Sequence, residues 1–493
     1  MVQQKPVPLP QLKEPFTDPE FPPNEKSLGS SKKKKINFGK FKRLSEIFAK
    51  PQLVVDGIDV SDICQGSFGD CWLLSSLATV ARFPHYIAHL FVNANIPMGQ
   101  YVVRLFWRNE WRCIVVDDYV PVDKNGKLMV VHSKNENELW PIIVEKAIAK
   151  LLGSYANIEG GEGPLGMYLF TGCLPQYEHI VQPNSKSRNG GLSLPETWQC
   201  IIKSFNDGNV IGFGSSHNER GDEYISITGI VGSHYYALVD AIEYKGNQLV
   251  RLRNPWGSTE WKGEWSDSSK QMTPQVKKDL NERVTEMSCL VQQLCCHGQL
   301  FCRSQSGKMK SEEVKNDGMF WISFQDLVLR FNTMTIGHLV NIDYLSNESN
   351  VFGLQFNHEL LQRIHKSSTY PQIKQIFKYD AKDVVRDDKV SGKYLTQRFT
   401  LSIDRESRVI FALRMIHSDM VKYNTCLQLV CQSLNIVSTG LYVFNGTTRS
   451  IPPGKHPFTV HSENRDGKFS DIEVVVFWEN RQAHIAISED QLR

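Results

Sequence analysis

The 493-residue chain has no apolar run near the ~18 residues that a bilayer-spanning helix needs, so none is expected. It has little excess charge of either sign. The 56 basic against 53 acidic side chains leave a formal net charge of +3, which excludes the strong basic bias of a nucleic-acid binder. Its 11 cysteines are odd in number and show no framework spacing, and Cys64, Cys113, Cys200 and Cys431 stand inside apolar runs. That pattern excludes the disulfide scaffold of a small secreted domain and points to buried thiols in a reducing, cytoplasmic setting. The opening stretch, MVQQKPVPLPQLKEPF, lacks the apolar core of a secretory signal. No internal repeat of fixed period is present, and without a D-x-D-x-D-G loop no EF-hand is expected.

What is present is ordinary for a globular protein: 41% hydrophobic and 22% charged residues. At roughly 100–200 residues per domain, the length suggests about three domains. Residues 1–50 are rich in Pro, Lys and Ser and read as an extended arm. Within it, Lys32-Lys33-Lys34-Lys35 reads as a solvated linker more readily than as a membrane-surface or nuclear-import patch. CWLLSSLATVARF (71–83) predicts an apolar helix that Pro84 discourages from continuing, and ELWPIIVEKAIAKLL (138–152) predicts another, with Pro141 in its first turn. Residues 101–122 predict two strands around a turn at Asn109. Residues 224–256 read as strand-rich, in YISITGIVG, HYYALVDAIEY and QLVRLRN, with a hairpin at Lys245-Gly246-Asn247. Residues 270–312 read as an irregular, exposed insertion; Cys295, Cys296, His297 and Cys302 lie close together there, but without paired C-x-x-C knuckles a zinc site is disfavoured. From about 340 onward, short strand-like segments recur between turns such as Asn445-Gly446 and Pro452-Pro453-Gly454, a β-sandwich pattern.

The most informative segment is Gln65-Gly-Ser-Phe-Gly-Asp-Cys71-Trp72. A thiol becomes a strong nucleophile as thiolate, and a helix N-terminus stabilises that anion. Cys71 stands where a glycine-containing loop gives way to an apolar helix, and Gln65 is near enough along the loop to aim an amide at an oxyanion. The base and its orienting partner are expected far downstream. His234 opens a strand-like run, and Asn254 follows in Arg253-Asn254-Pro255-Trp256-Gly257. Alone, a strand histidine is usually structural and an Asn-Pro is usually a turn. The joint arrangement makes His234 the base, Asn254 the acceptor that fixes its tautomer, and Trp256 the shield over that bond.

On these motifs the sequence resembles the calpains over roughly residues 14–335. FTDPEFPPNEKSLG is similar to their entry segment and VVDGIDVSDICQGSFGDCWLLSSLA to their nucleophile region. DDYVPVDKNGKLMVVHS and ELWPIIVEKAIAKLLGSY resemble the rest of the first lobe; LRNPWGSTEWKGEWSD and GMFWISFQDL resemble the second. The resemblance implies an α+β fold: a papain-like two-lobe protease core, helical lobe 51–165 and β lobe 166–335 with the insertion at about 270–312, then the β-sandwich of 340–493. It implies a calcium-dependent cysteine endopeptidase making limited cuts in protein substrates through an acyl-enzyme. It places one calcium site on Val55, Gly57 (backbone carbonyls), Asp62 and Glu138. A second falls on Glu260, Asp267, the backbone of Lys315, and Asp317, with Met319 where a further acid is expected. Gly161 matches a cleft glycine that pairs with substrate backbone, and Ser233 replaces the usual glycine before the histidine. A scaffold that binds partners without cutting is the rival reading, and the C-terminal domain leaves weak membrane association open.

Overall fold

A computed structural model describes residues 12–30, 37–108, 110–181, 192–216, 224–281, 283, 286–295, 316–340, 342–347, 350–354, 356–369, 372–377, 384–387, 392–415, 425–434, 436–441, 444–464, 472–479 and 481–489. Lys32–Lys35, Asn109, Cys296, His297, Cys302 and Lys315 therefore lie outside the described residues.

The first lobe is built on two helices. Cys71–Ala81 is buried at every position after Cys71, because CWLLSSLATVA is apolar or small on all sides. It stops before Pro84, but the proline does not end the helical region. It opens a second helix, Pro84–Leu90, since a first-turn proline has no N–H to lose. Trp140–Leu152 likewise carries Pro141 at its start, and Gly153 closes it in the left-handed region at φ +101°. The segment expected to form two strands forms three: Gln100–Trp107 and Glu110–Asp117 pair as a hairpin, and Tyr119–Asp123 turns away to pair with Phe38–Arg43. The arm is thus partly packed. Phe21, Leu28 and Leu44 are core residues, Asp18 N donates to Asp117 Oδ2 at 2.7 Å, and Lys150 Nζ reaches Asp18 Oδ2 at 2.8 Å.

The second lobe is a six-stranded antiparallel sheet in the spatial order Met319–Ser323, Asn247–Arg253, Tyr235–Tyr244, Val210–Ser215, Phe331–His338, Leu174–His179. Lys245 and Gly246, at φ +48° and +79°, form the two-residue turn between the central strands. The run 224–232 is not a strand. Gly229 has φ +87°, and a Cβ there would stand 1.9 Å from the Glu260 carbonyl, so the chain turns and keeps only the Ile225–Val231 bridge. Helix Gly163–Thr171 runs through the 165/166 boundary and packs on the nucleophile helix, where Ser76 Oγ donates to Gly163 O at 3.1 Å.

The insertion is not irregular throughout. Pro274–Asn281 and Glu286–Cys295 are helices, and Leu280, Leu290 and Leu294 are buried, because leucines at helical spacing supply one apolar stripe. Beyond the lobes, residues 340–371 include two short helices, Asp343–Asn347 and His358–Ile364. The strands of the C-terminal domain begin at Gln372 and form two antiparallel sheets, one of four strands and one of six. Phe411 of the first sheet meets Phe458 of the second at 4.8 Å between ring centroids, marking the core between them.

Candidate active site

Cys71 is the first residue of its helix and half-buried. Asp70 precedes it in the capping position but makes no side-chain capping bond, so no carboxylate cap competes with the thiol for the positive end of the helix. The loop before it is fastened to the second lobe: Gln65 N donates to Pro255 O at 2.8 Å. Gln65 Nε2 donates to Phe68 O at 2.8 Å, which commits one amide hydrogen to the loop.

His234 stands just before strand Tyr235–Tyr244 and Asn254 just after strand Asn247–Arg253. Because those strands pair antiparallel, with Ala237 opposite Arg253, the two side chains meet. His234 Nε2 lies 2.9 Å from Asn254 Oδ1, and both residues are buried. Asn254 Oδ1 also accepts from Trp256 N at 3.1 Å, and the Trp256 ring lies 5.0 Å from the imidazole. Burial lowers the His234 pKa to about 4, against the opposing pull of the Asn254 bond. His234 Nδ1 is buried without a hydrogen-bond partner. Ser75, one turn along the nucleophile helix, donates to Tyr235 O at 2.6 Å, so the helix carrying Cys71 is tied to the residue beside His234. Ser233 adopts φ +49°, the left-handed backbone that favours glycine. Gly161 is exposed, and a Cβ there would strike the Trp72 ring at 2.4 Å, so packing by itself demands glycine.

Of the oxygen ligands implied for a first cation, three converge on one point. Asn135 Nδ2 donates to Asp62 Oδ1 at 3.1 Å, Val55 O at 3.4 Å and Glu138 Oε2 at 3.4 Å. Asp62 and Glu138 are buried, and Asp56 and Gly57 turn the loop through positive φ (+56° and +87°). Two buried carboxylates and a carbonyl gathered around a positively polarised amide suit a hard cation. In the second set, burial raises the Glu260 pKa to about 7, with Asp267 and Asp317 adding repulsion. Asp267 is raised by burial and by Asp317. Glu260 and Asp267 line a pocket of about 350 Å³ with Thr259 and Asn316. The Asp317 carboxylate accepts from Met319 N at 2.9 Å, and Met319 opens an edge strand. Among the described residues, no group of three or more His, Cys, Asp or Glu side chains is clustered for a metal ion.

Sequence reasoning missed the groups that join the lobes. Arg253 donates to Ser61 O (3.2 Å) and Ile63 O (2.6 Å) in the first lobe and to Asp317 O (2.8 Å) in its own. Lys134 Nζ crosses in the other direction to Gly257 O at 2.9 Å. A charged residue inside QLVRLRN, next to Asn254, was the available signal for Arg253.

A family model described as "Calpain family cysteine protease" matches residues 16–290. The chain is 34% identical over 345 residues to the calpain-1 catalytic subunit of Rattus norvegicus, covering 66% of this chain and 42% of that protein. It is 31% identical over 333 residues to the calpain-type cysteine protease ADL1 of Oryza sativa subsp. japonica, covering 65% of this chain and 14% of that protein. The chain thus spans less than half the length of these curated relatives.

Proposed function

The chain belongs to the calpain family of cysteine proteases, and on that premise we propose that it is an active, calcium-dependent endopeptidase that cuts proteins at limited positions. The observation that carries this reading is the His234–Asn254 bond beneath Trp256, set beside a helix that begins at Cys71 and is tied to Tyr235.

In this reading the Cys71 thiolate adds to the scissile carbonyl, and the oxyanion is held by the Cys71 backbone N–H and the second Gln65 amide hydrogen. His234, protonated by the thiol, gives that proton to the leaving amine as the C–N bond breaks, leaving a thioester on Cys71. Water then attacks the thioester with His234 as base, and the carboxylate product leaves as the thiol is restored. Asn254 holds the imidazole so that Nδ1 serves the thiol side. Calcium, when bound, would supply positive charge to Val55, Gly57, Asp62 and Glu138 at the first set and to Glu260, Asp267 and Asp317 at the second. The test is casein cleavage with and without calcium by the parent and by Cys71→Ala. Calcium-dependent cleavage that disappears in Cys71→Ala, with thermal unfolding unchanged, supports the reading. Residual cleavage by the variant overturns the nucleophile, and a parent that never cleaves favours the scaffold.

A further inference from the structure

The far end of the nucleophile helix is held by a histidine that lies beyond residues 16–290, the stretch matched by the family model. Helix Cys71–Ala81 runs into Arg82, Phe83 and then His85, in the first turn of Pro84–Leu90. His85 Nε2 lies 3.0 Å from His365 Nε2, and His365 Nδ1 lies 2.8 Å from Gly208 O in the second lobe. Both rings are buried. A carbonyl only accepts, so His365 Nδ1 carries the hydrogen, its Nε2 is the acceptor, and His85 Nε2 donates to it. That arrangement leaves His85 Nδ1 bare, and it is buried without a partner. The backbone follows the ring. Lys366 N donates to Asp207 O at 2.9 Å, and Gly208, at φ +73°, approaches so closely that a Cβ there would stand 2.0 Å from Ile364 O. Gly208 leads into strand Val210–Ser215, where Ser215 Oγ accepts from His234 N at 2.9 Å and Ser215 N donates to His234 O at 2.8 Å. One ring therefore stands between the helix of the nucleophile and the strand bound to the base.

We propose that His365 is a positioning residue for the protease, latching the far end of the nucleophile helix to the strand that holds His234 and so fixing how Cys71 faces the base. The proposal rests on Cys71 and His234 acting as the catalytic pair. Near Cys71 the helix is tied to the second lobe by the Ser75–Tyr235 bond, which alone is a pivot. A second tie beyond the other end fixes the direction of the helix. An uncharged donor–acceptor pair suits this site, because it satisfies the facing nitrogens without burying a charge. The neighbours favour the neutral state. Arg82 stacks on Phe83 and on Phe205 of helix Leu194–Asn206, and Arg104 Nη1 lies 3.0 Å from His89 Nδ1 one turn along from His85. Burial first, and the Arg82 charge with it, hold the His365 pKa down to about 3 against the pull of the Gly208 bond. Burial and then His365 hold His85 well below the usual imidazole range, so mild acidification does not open the latch.

The experiment is the pH dependence of iodoacetamide alkylation at Cys71 in the presence of calcium, read by peptide mass, beside kcat and KM for a short peptide, in the full chain and its variants. His365→Phe keeps a flat ring but removes donor and acceptor, whereas His365→Gln keeps one of each. In the parent the imidazolium holds the thiol pKa below its ordinary value of about 8.5. His365→Phe is expected to raise that pKa by about one unit and to lower kcat roughly tenfold with KM nearly unchanged, since a misplacement of about 1 Å can cost about 100-fold. His365→Gln should restore most of both. His85→Phe should match His365→Phe, and the double variant should be no worse than either, because all three remove one contact. A folded His365→Phe with the parent's thiol pKa and kcat, a His365→Gln as damaged as His365→Phe, or additive losses in the double variant overturns the proposal. If the phenylalanine variants do not fold, Gly208→Ala decides, because its Cβ would push the Ile364 carbonyl off the second lobe with both rings kept in the sequence. An unchanged thiol pKa and kcat there overturn the latch. A parent whose thiol is no more reactive than an ordinary one refutes the nucleophile reading instead. The latch is then decided by the distance between spin labels at Asn125 and Asn247, exposed positions in the two lobes. A longer or broader distance in His365→Phe than in the parent and His365→Gln supports it, and an unchanged one overturns it.

Discussion

His234 Nε2 and Asn254 Oδ1 lie 2.9 Å apart although 20 residues separate them, because the hairpin between them folds back, with one register shift between Leu238 and Asp240. The bond fixes which imidazole nitrogen carries hydrogen, and it opposes the loss of basicity that burial imposes. Asn254→Ala should therefore lower kcat by less than the roughly 10⁴-fold that a wrong tautomer costs a serine triad. It should also shift the acid limb of the pH profile downward, since a contact that favours the imidazolium is gone. Peptide hydrolysis across pH reads both, and an unchanged rate at every pH would remove Asn254 from the orienting role.

The oxygens of Asp62, Val55 and Glu138 converge on Asn135 Nδ2, whereas the second set has Met319 where a further acid is expected. Asp62→Ala should raise the calcium needed for half-maximal proteolysis or abolish activity, and Asp317→Ala should raise it less. Met319→Glu should lower the requirement by adding ligand charge. Calcium titrations of the variants check the order. Equal damage from the two alanines, with no gain from Met319→Glu, would contradict it.

Leu294 is 5% exposed in helix Glu286–Cys295, which packs against Pro84–Leu90 and His358–Ile364. Leu294→Ala should cost about 2–5 kcal/mol, the range for emptying a buried leucine site. Urea unfolding measures it. A change within about 0.5 kcal/mol, as at an ordinary surface position, would show that the helix does not dock in solution.

Burial lifts the Glu162 pKa to about 7. An acid with a raised folded-state pKa contributes stability that is complete below its unfolded pKa, near 4.5, and lost as pH rises through about 7. Glu162→Gln removes that penalty. It should stabilise the protein on the order of 2 kcal/mol at about pH 8 and leave it nearly unchanged at about pH 4. Differential scanning calorimetry at the two pH values checks the sign, and equal melting shifts at both would refute the buried charge.

The nucleophile segment, the Asn-Pro-Trp-Gly motif and the helices around Cys71 and Trp140 were legible in the sequence because each is local. A glycine-containing loop before an apolar run places a helix start, and Lys245-Gly246 between two strand-like runs fixes a hairpin that brings His234 to Asn254. The insertion helices were hidden by polar residues at the beginning of the segment, since their leucines acquire meaning only from the surfaces they cover. The run 224–232 misled for the opposite reason. Its strand-like composition is overruled by the close approach of Gly229 to Glu260, which no local pattern records.

The sequence by itself determined the chemistry: a thiol at a helix start, an imidazole, an amide acceptor and an aromatic cover in a fixed order. Tertiary structure alone decided how the lobes are joined and what charge surrounds the thiol. Arg253 reads as one more strand residue until its guanidinium reaches Ser61 O and Ile63 O across the lobes. Asp70, one residue before the nucleophile, is buried completely, and its side chain makes no capping bond to the helix that it precedes. Both outcomes depend on desolvation and on partners far away in the chain, and neither is encoded within the few residues that a motif spans.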